Sequence, residues 1–240
     1  MSEQKDDVIK VVLLGDSGVG KSSIVLRFVT NEFRPYSEST IGASFMSKKL
    51  TILAPEENED HHPPMNNNNN NDNTEEEEED SQNSEQSRFY TVNFKIWDTA
   101  GQEKYHSLAP LYYRGAGAAI LVYDICNQVS FESLKRWVSE LKINGPAGLM
   151  IVICGNKIDM KEHRQVDSYS AQEYAQSIDA FYIETSCRDD INIERIFKQI
   201  GTNVVRTKVQ DTVTSAEEQL TRIDLDAFTE TTNDSWLSMC

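Results

Sequence analysis

The residues Gly15-Asp16-Ser17-Gly18-Val19-Gly20-Lys21-Ser22 have the spacing G-x-x-x-x-G-K-[ST], which suits a loop that wraps a polyphosphate. Glycines let the backbone turn so that successive N–H groups face inward and meet phosphate oxygens. Lys21 would set a positive charge against the β- and γ-phosphates. The Ser22 hydroxyl would ligate Mg²⁺, with Ser23 beside it in the same phosphate-facing turn. A second group, Asp98-Thr99-Ala100-Gly101-Gln102, fits the far end of that phosphate chain. Asp98 would hold Mg²⁺ through its water shell, and Gly101, lacking a side chain, would bring its N–H close to the γ-phosphate. Gln102 carries both an acceptor and a donor, as orienting an attacking water requires. Thr40, in Glu38-Ser39-Thr40-Ile41-Gly42, could supply a second hydroxyl to the metal.

The phosphate loop alone does not separate ATP from GTP. Asn156-Lys157-Ile158-Asp159 does, because guanine presents two adjacent donors, N1–H and the 2-amino group, to one carboxylate. Adenine has an acceptor at N1 and no 2-amino group, so Asp159 would be left unpaired against it. Each motif has a plain alternative: a Gly-rich turn before an amphipathic helix, a surface turn, an ordinary loop threonine. Their mutual spacing favours the chemical reading.

These residues need elements to position them, and the chain supplies an alternation of β-type and helical patterns, as in a sheet built from βαβ units. Val8–Leu14 reads as a buried strand leading into the phosphate loop, and Lys21–Thr30 as the helix leaving it. Ser44–Leu53 and Phe89–Trp97 read as a hairpin pair. Ala118–Asp124 and Leu149–Gly155 are continuous apolar runs, as expected of strands covered on both faces. Phe131, Leu134, Val138 and Leu141 fall at helical spacing, Ala180–Glu184 is a last short strand, and Ile193, Ile196, Phe197, Ile200 and Val204 line one face of a closing helix.

Two stretches break this rhythm. Pro55–Ser87 holds an asparagine run and an acidic run with almost nothing apolar, so it reads as a disordered insertion, residues 55–87, at the tip of the hairpin. Lengthening such a loop costs little stability. Its pair His61 and His62 reads as solvated rather than metal-bound. The segment 207–240, rich in Thr, Asp and Glu, reads as a flexible tail after a domain spanning 1–206. The formal net charge is −16, of which −11 falls between Ala54 and Arg88 and −5 after residue 206. The remainder is near neutral, and the overall sign argues against nucleic acid as a partner. Cys126, Cys154, Cys187 and Cys240 show no paired spacing; Cys126 and Cys154 end apolar runs and read as small buried hydrophobes in a reducing compartment. The polar amino terminus does not look like a secretory signal, and no apolar run approaches a bilayer-spanning length.

Taken together, these motifs resemble the Ras superfamily and, among its branches, the Rab GTPases, over Ile9 to Val204 apart from the insertion. The resemblance implies an α/β P-loop GTPase fold: a six-stranded, mostly parallel sheet with helices on both faces and one antiparallel edge strand. It implies that Ser186-Cys187-Arg188 completes the guanine loop where the family has Ser-Ala-Lys, the middle residue acting through its backbone N–H. It further implies that Phe33 stacks on the base and that Phe45, Trp97 and Tyr112 form an exposed aromatic triad read by effectors; for Phe45 and Trp97, core packing is the plain alternative. The runs Glu38–Phe45 and Glu103–Gly115 resemble the early-endosomal Rab subfamily.

The family's mechanism implies that the γ-phosphate and Mg²⁺ hold Thr40 and Gly101, and that hydrolysis releases the two loops bearing them. No catalytic arginine is evident near Thr40, so slow intrinsic turnover is expected, with a GTPase-activating protein supplying one in trans. The other expected partners are an exchange factor, effectors, an escort protein and a dissociation inhibitor. Cys240 is the last residue, not a C-a-a-X cysteine; the resemblance implies prenylation there, although the family most commonly ends in two cysteines, and an unmodified end is the plain alternative. One lipid on an acidic tail implies weak, reversible attachment, hence a cytoplasmic protein peripheral on endosomal membranes. Two other readings compete: a guanine-nucleotide scaffold without useful hydrolysis, which has no need of Gln102, and an ATP-using P-loop enzyme, which Asp159 disfavours.

Overall fold

A computed structural model describes residues 7–53, 89–102, 108–208 and 210. The insertion 55–87, the tail beyond 210, Cys240 and the segment 103–107 lie outside the described residues. The strands are β1 Asp7–Leu14, β2 Ala43–Leu53, β3 Phe89–Thr99, β4 Ala118–Asp124, β5 Met150–Asn156 and β6 Phe181–Thr185. The helices are α1 Lys21–Thr30, α2 Ala109–Tyr113, α3 Gln128–Asn144, α4 Ser168–Ser177 and α5, residues 193–208. A 3-10 turn occupies Ile158–His163.

The sheet runs β2-β3-β1-β4-β5-β6, and only the β2–β3 pairing is antiparallel. This is the fold that the sequence implied, with strand ends shifted by one or two residues. The largest shift is in β3, which continues through Asp98 and Thr99, so the metal-binding candidate is held by the sheet itself.

Alternation along β1 explains the two cores. Ile9, Val11 and Leu13 face one layer, closed by α1 and α5; Val12 and Leu14 face the other, closed by α2, α3 and α4. In the first layer Phe28 of α1 stacks on Phe197 of α5 at 3.6 Å, and Phe94 meets both edge-on. Burying a side chain of this size contributes about 1.5–3 kcal/mol. Helix caps add less: the Asn127 side chain accepts from the Val129 and Ser130 N–H groups at the start of α3, an arrangement worth about 1 kcal/mol. Packing therefore dominates in holding these helices. Two details of the core differ from the sequence reading. Of the two valines near the end of α5, Val205 is fully buried while Val204 is half-buried, and Cys126 is half-buried rather than interior, its thiol donating to the Met160 carbonyl at 3.4 Å.

Strand order reverses at β1, which pairs with β3 on one side and with β4 on the other. The carboxyl ends of β1, β3, β4 and β5 converge there, which in open α/β sheets is where ligands bind.

Candidate nucleotide site

At that end lies a cleft of about 810 Å³, lined among others by Ser17, Gly18, Gly20, Lys21, Ser22, Ser23, Phe33, Thr40, Gly101, Asn156, Lys157, Asp159, Cys187 and Arg188. These are most of the residues that the sequence singled out, drawn from six separate segments.

The phosphate end is built from tight backbone. Gly15, Gly18 and Gly20 all have positive φ. A Cβ on Gly20 would fall 2.2 Å from Asn156 Nδ2, and one on Gly101 would fall 2.4 Å from Asp16 and Ser17 backbone atoms. Gly20 ends the turn as the N-cap of α1 without a side-chain cap, so the first N–H groups of the helix remain available to an anion. Gly15, Asp16 and Val19 do not line the cleft themselves; they shape it. The Lys21 ammonium donates to the carbonyls of Gly15 and Asp16 at 2.8 and 2.7 Å, which leaves its third proton for a ligand oxygen. Burial pulls its pKa down to about 8, against the opposing pull of Asp98 and Asp16. An anionic ligand would restore the charge.

The three metal candidates meet. Ser22 Oγ and Thr40 Oγ1 are 2.7 Å apart, and Thr40 and Ser44 donate to Asp98 Oδ2 at 3.3 and 3.4 Å. Asp98 is 2% exposed, and its Oδ1 is the buried side-chain oxygen without a hydrogen-bond partner among the described residues. Burial pushes its carboxyl up, partly offset by the Ser22 hydroxyl, the Lys21 charge and the hydroxyls of Thr40 and Ser44. Two hydroxyls and one carboxylate with an unsatisfied oxygen fit a hard divalent cation that completes its shell with phosphate and water. Gln102, next to Gly101, is half-buried and is not among the residues lining the cleft.

The base end is held by side-chain bonds. Asp159 accepts from Ser186 Oγ at 2.7 Å, and Ser186 also accepts from the Asp189 N–H at 3.0 Å. Asn156 spans both ends: its Nδ2 donates to the Val19 carbonyl at 2.9 Å and its Oδ1 accepts from Thr185 Oγ1 at 3.1 Å. Lys157 sits at φ 74°, a left-handed conformation that costs a non-glycine residue roughly 1–3 kcal/mol, and its ammonium pairs with Asp124 at 2.7 Å. Phe33 is half-buried in the lining, its ring 6.0 Å from the Arg27 guanidinium. Cys187 is buried, and its thiol is pushed up to about 12 by that burial, so it stays neutral near physiological pH.

Sequence reasoning missed several contributors. Arg27, in the last turn of α1, donates to the carbonyls of Cys187 and Arg188 at 2.9 and 3.1 Å and so anchors the second base loop. A basic residue there reads as a helix C-terminal charge, which is why it carried no signal. Arg34 lines the cleft six residues before Thr40 and pairs with Glu32 at 2.8 Å, so an arginine is after all present on that loop, though tied back. Thr99 also lines the floor, its hydroxyl donating to the Leu13 carbonyl at 2.7 Å.

Away from the cleft, Phe45, Trp97 and Tyr112 stand in one row, with ring centroids 5.4 and 6.1 Å apart. Phe45 is 52% exposed and the other two are half-buried, so for Phe45 the core alternative is excluded. Among the described residues, no cluster of His, Cys, Asp and Glu could hold a metal, and no helix is long and apolar enough to cross a membrane.

Comparison with known proteins agrees with this geometry. The family model described as Ras family matches residues 65–206, and a second, for the Roc (Ras of Complex) domain, matches residues 10–68. The chain is 44% identical over 204 residues to Ras-related protein Rab5A of Oryza sativa subsp. japonica, covering 85% of this chain and 83% of that protein. It is 45% identical over 196 residues to human Ras-related protein Rab-31, with coverage of 82% and 83%, and 42% identical over 199 residues to mouse Ras-related protein Rab-22A, with coverage of 83% and 84%. With its phosphate loop, base loops and sheet order in place, the chain belongs to the Ras family and, within it, to the Rab GTPases.

Proposed function

We propose that this GTPase is a magnesium-dependent switch of endosomal vesicle traffic whose two states differ in the loops that carry Thr40 and Gln102. The observation that carries the reading is Asp98 Oδ1, buried and without a hydrogen-bond partner among the described residues, where the Ser22 and Thr40 hydroxyls meet. Ser22, Thr40 and Asp98 would hold Mg²⁺, which when bound screens phosphate charge. Lys21 and the N–H groups opening α1 bind the β- and γ-phosphates. The Gly101 N–H reaches the γ-phosphate, and Gln102 orients the attacking water. Asp159 reads the two guanine donors, Phe33 covers the base, and the N–H groups of the Ser186-Cys187-Arg188 loop close on its far edge.

Exchange factor, GTPase-activating protein and effectors act on this family generally. For this chain, Phe45, Trp97 and Tyr112 are the surface we assign to effectors. We assign Cys240 to prenylation, with an escort protein and a dissociation inhibitor handling the lipid. Early-endosomal membranes are the place of action we assign, on the resemblance carried by Glu38–Phe45 and Glu103–Gly115.

Denaturing the purified protein and identifying the released nucleotide tests the reading directly. GDP or GTP is expected, released faster when a chelator removes Mg²⁺. Adenine nucleotide, or loss of nucleotide indifferent to chelation, would refute it.

A further inference from the structure

The base is read by two loops from different strands, 156–159 after β5 and 186–188 after β6. Their lip is joined by the bond from Ser186 to Asp159. A second tie lies behind them. Arg164, which closes the 3-10 turn carrying Asp159, gives both terminal nitrogens to the Glu184 carboxylate, at 2.6 Å to Oε1 and 2.8 Å to Oε2. Glu184 sits two residues before Ser186, opposite Gly155 in the β5–β6 register.

The carboxylate is further occupied. Tyr182 donates to Oε1 at 2.8 Å, and the Tyr123 hydroxyl stands 3.2 Å from that of Tyr182. Gly155 leaves room for this stack, since a Cβ there would fall 2.6 Å from the Tyr123 hydroxyl. The Glu184 carbonyl accepts from Asn192 at 2.8 Å, fixing the strand just before Ser186. The two charged side chains are 26% and 20% exposed. An exposed ion pair contributes at most about 1 kcal/mol. This one is bidentate, largely shielded and shares a third donor, which places it among the pairs whose loss is felt.

We propose that Arg164 and Glu184 are positioning residues for guanine specificity: the pair clamps the turn bearing Asp159 to β6, so that the carboxylate keeps its aim at the N1–H and 2-amino edge. Neither side chain lines the cleft, so the effect passes through Asp159 and Ser186. The inference rests on the reading of Asp159 given above.

The test compares the full chain with Glu184→Gln and Arg164→Lys variants in binding GDP and inosine diphosphate, which lacks the 2-amino group, alongside their melting temperatures. Glu184→Gln should cut the preference for GDP over inosine diphosphate on the order of tenfold, the size of one weakened charge-assisted hydrogen bond. Arg164→Lys, which keeps the charge but loses the fork, should fall between. In an Asp159→Asn background neither change should lower the preference further. A lower melting temperature with unchanged preference would assign the pair to stability alone and overturn the inference. Should Glu184→Gln fail to fold, the milder Arg164→Lys decides by the same ratio. Equal binding of both nucleotides by the unsubstituted chain would instead show that Asp159 does not read guanine, and the clamp would have nothing to aim.

Discussion

The cleft has two unlike walls. On the base side Asn156, Thr185 and Ser186 are at most 2% exposed, and each spends its side chain on a bond to another segment. On the opposite side, residues 34–41 are almost all exposed: Tyr36 is 97% and Ile41 82% accessible, and the link from this loop to the sheet's metal candidate is the 3.3 Å hydrogen bond from Thr40 to Asp98. The two jobs ask for this difference. A wall that discriminates one purine from another must hold its groups still, because a misplaced acceptor forfeits the penalty against the wrong base. A wall that reports on a single phosphate must be only marginally held, so that making or breaking one bond moves it.

The largest effect that would sharpen this contrast lies on the loose wall. Gln102→Leu should lower activator-stimulated hydrolysis on the order of a thousandfold or more while GDP and GTP dissociation rates stay unchanged. Stimulated turnover surviving that change would remove Gln102 from its role. On the rigid wall, Asp159→Asn should weaken GDP binding on the order of a hundredfold, two charge-assisted hydrogen bonds being impaired. Hydrolysis per bound GTP should hold steady. If it fell in step with affinity, the walls would not be separable and the comparison would fail.

The smallest effect lies on the floor that both walls share. Burial holds Lys21 at about 8, below its ordinary 10.5, so between those pH values the unfolded chain carries a proton that the folded chain has shed. Stability of the nucleotide-free protein should therefore rise as pH increases from about 8 to 10.5. Relative to Lys21→Met, which lacks the titration, melting temperatures across that window should diverge. Bound nucleotide should flatten the difference by returning the charge. No divergence would mean that the ammonium is solvated in the free protein.

Most of the site could be read in the sequence because its residues act by type at short, fixed spacings. The turn Gly15–Ser22, the strand end at Asp98 and the loop Asn156–Asp159 each carry their chemistry within a few positions. The fold was readable for a related reason: the apolar runs Ala118–Asp124 and Leu149–Gly155 admit little but strands covered on both faces. What escaped acts over long separations. Arg27 and Cys187 are 160 residues apart, Arg164 and Glu184 are 20, and neither pairing leaves a local pattern. α4 also went unnoticed, because only Ala171 and Ala175 are buried along it and two alanines four apart make a faint stripe. Arg34 is visible as a residue, but its place in the lining depends on how an exposed loop folds across the cleft.

The hairpin bears on how this protein can be handled. β2 and β3 pair without a break from Ala43 opposite Thr99 to Leu53 opposite Phe89, and the last pair is at the end of the strands remote from the nucleotide cleft. Whatever joins Leu53 to Phe89 therefore meets the ladder through one doorway a single rung wide. Doubling the joining length costs only about 0.6 kcal/mol of closure entropy. That doorway is a natural graft point: a fluorophore-bearing peptide or an affinity handle seated there would travel with the sheet and stay clear of the groups that bind and cleave GTP.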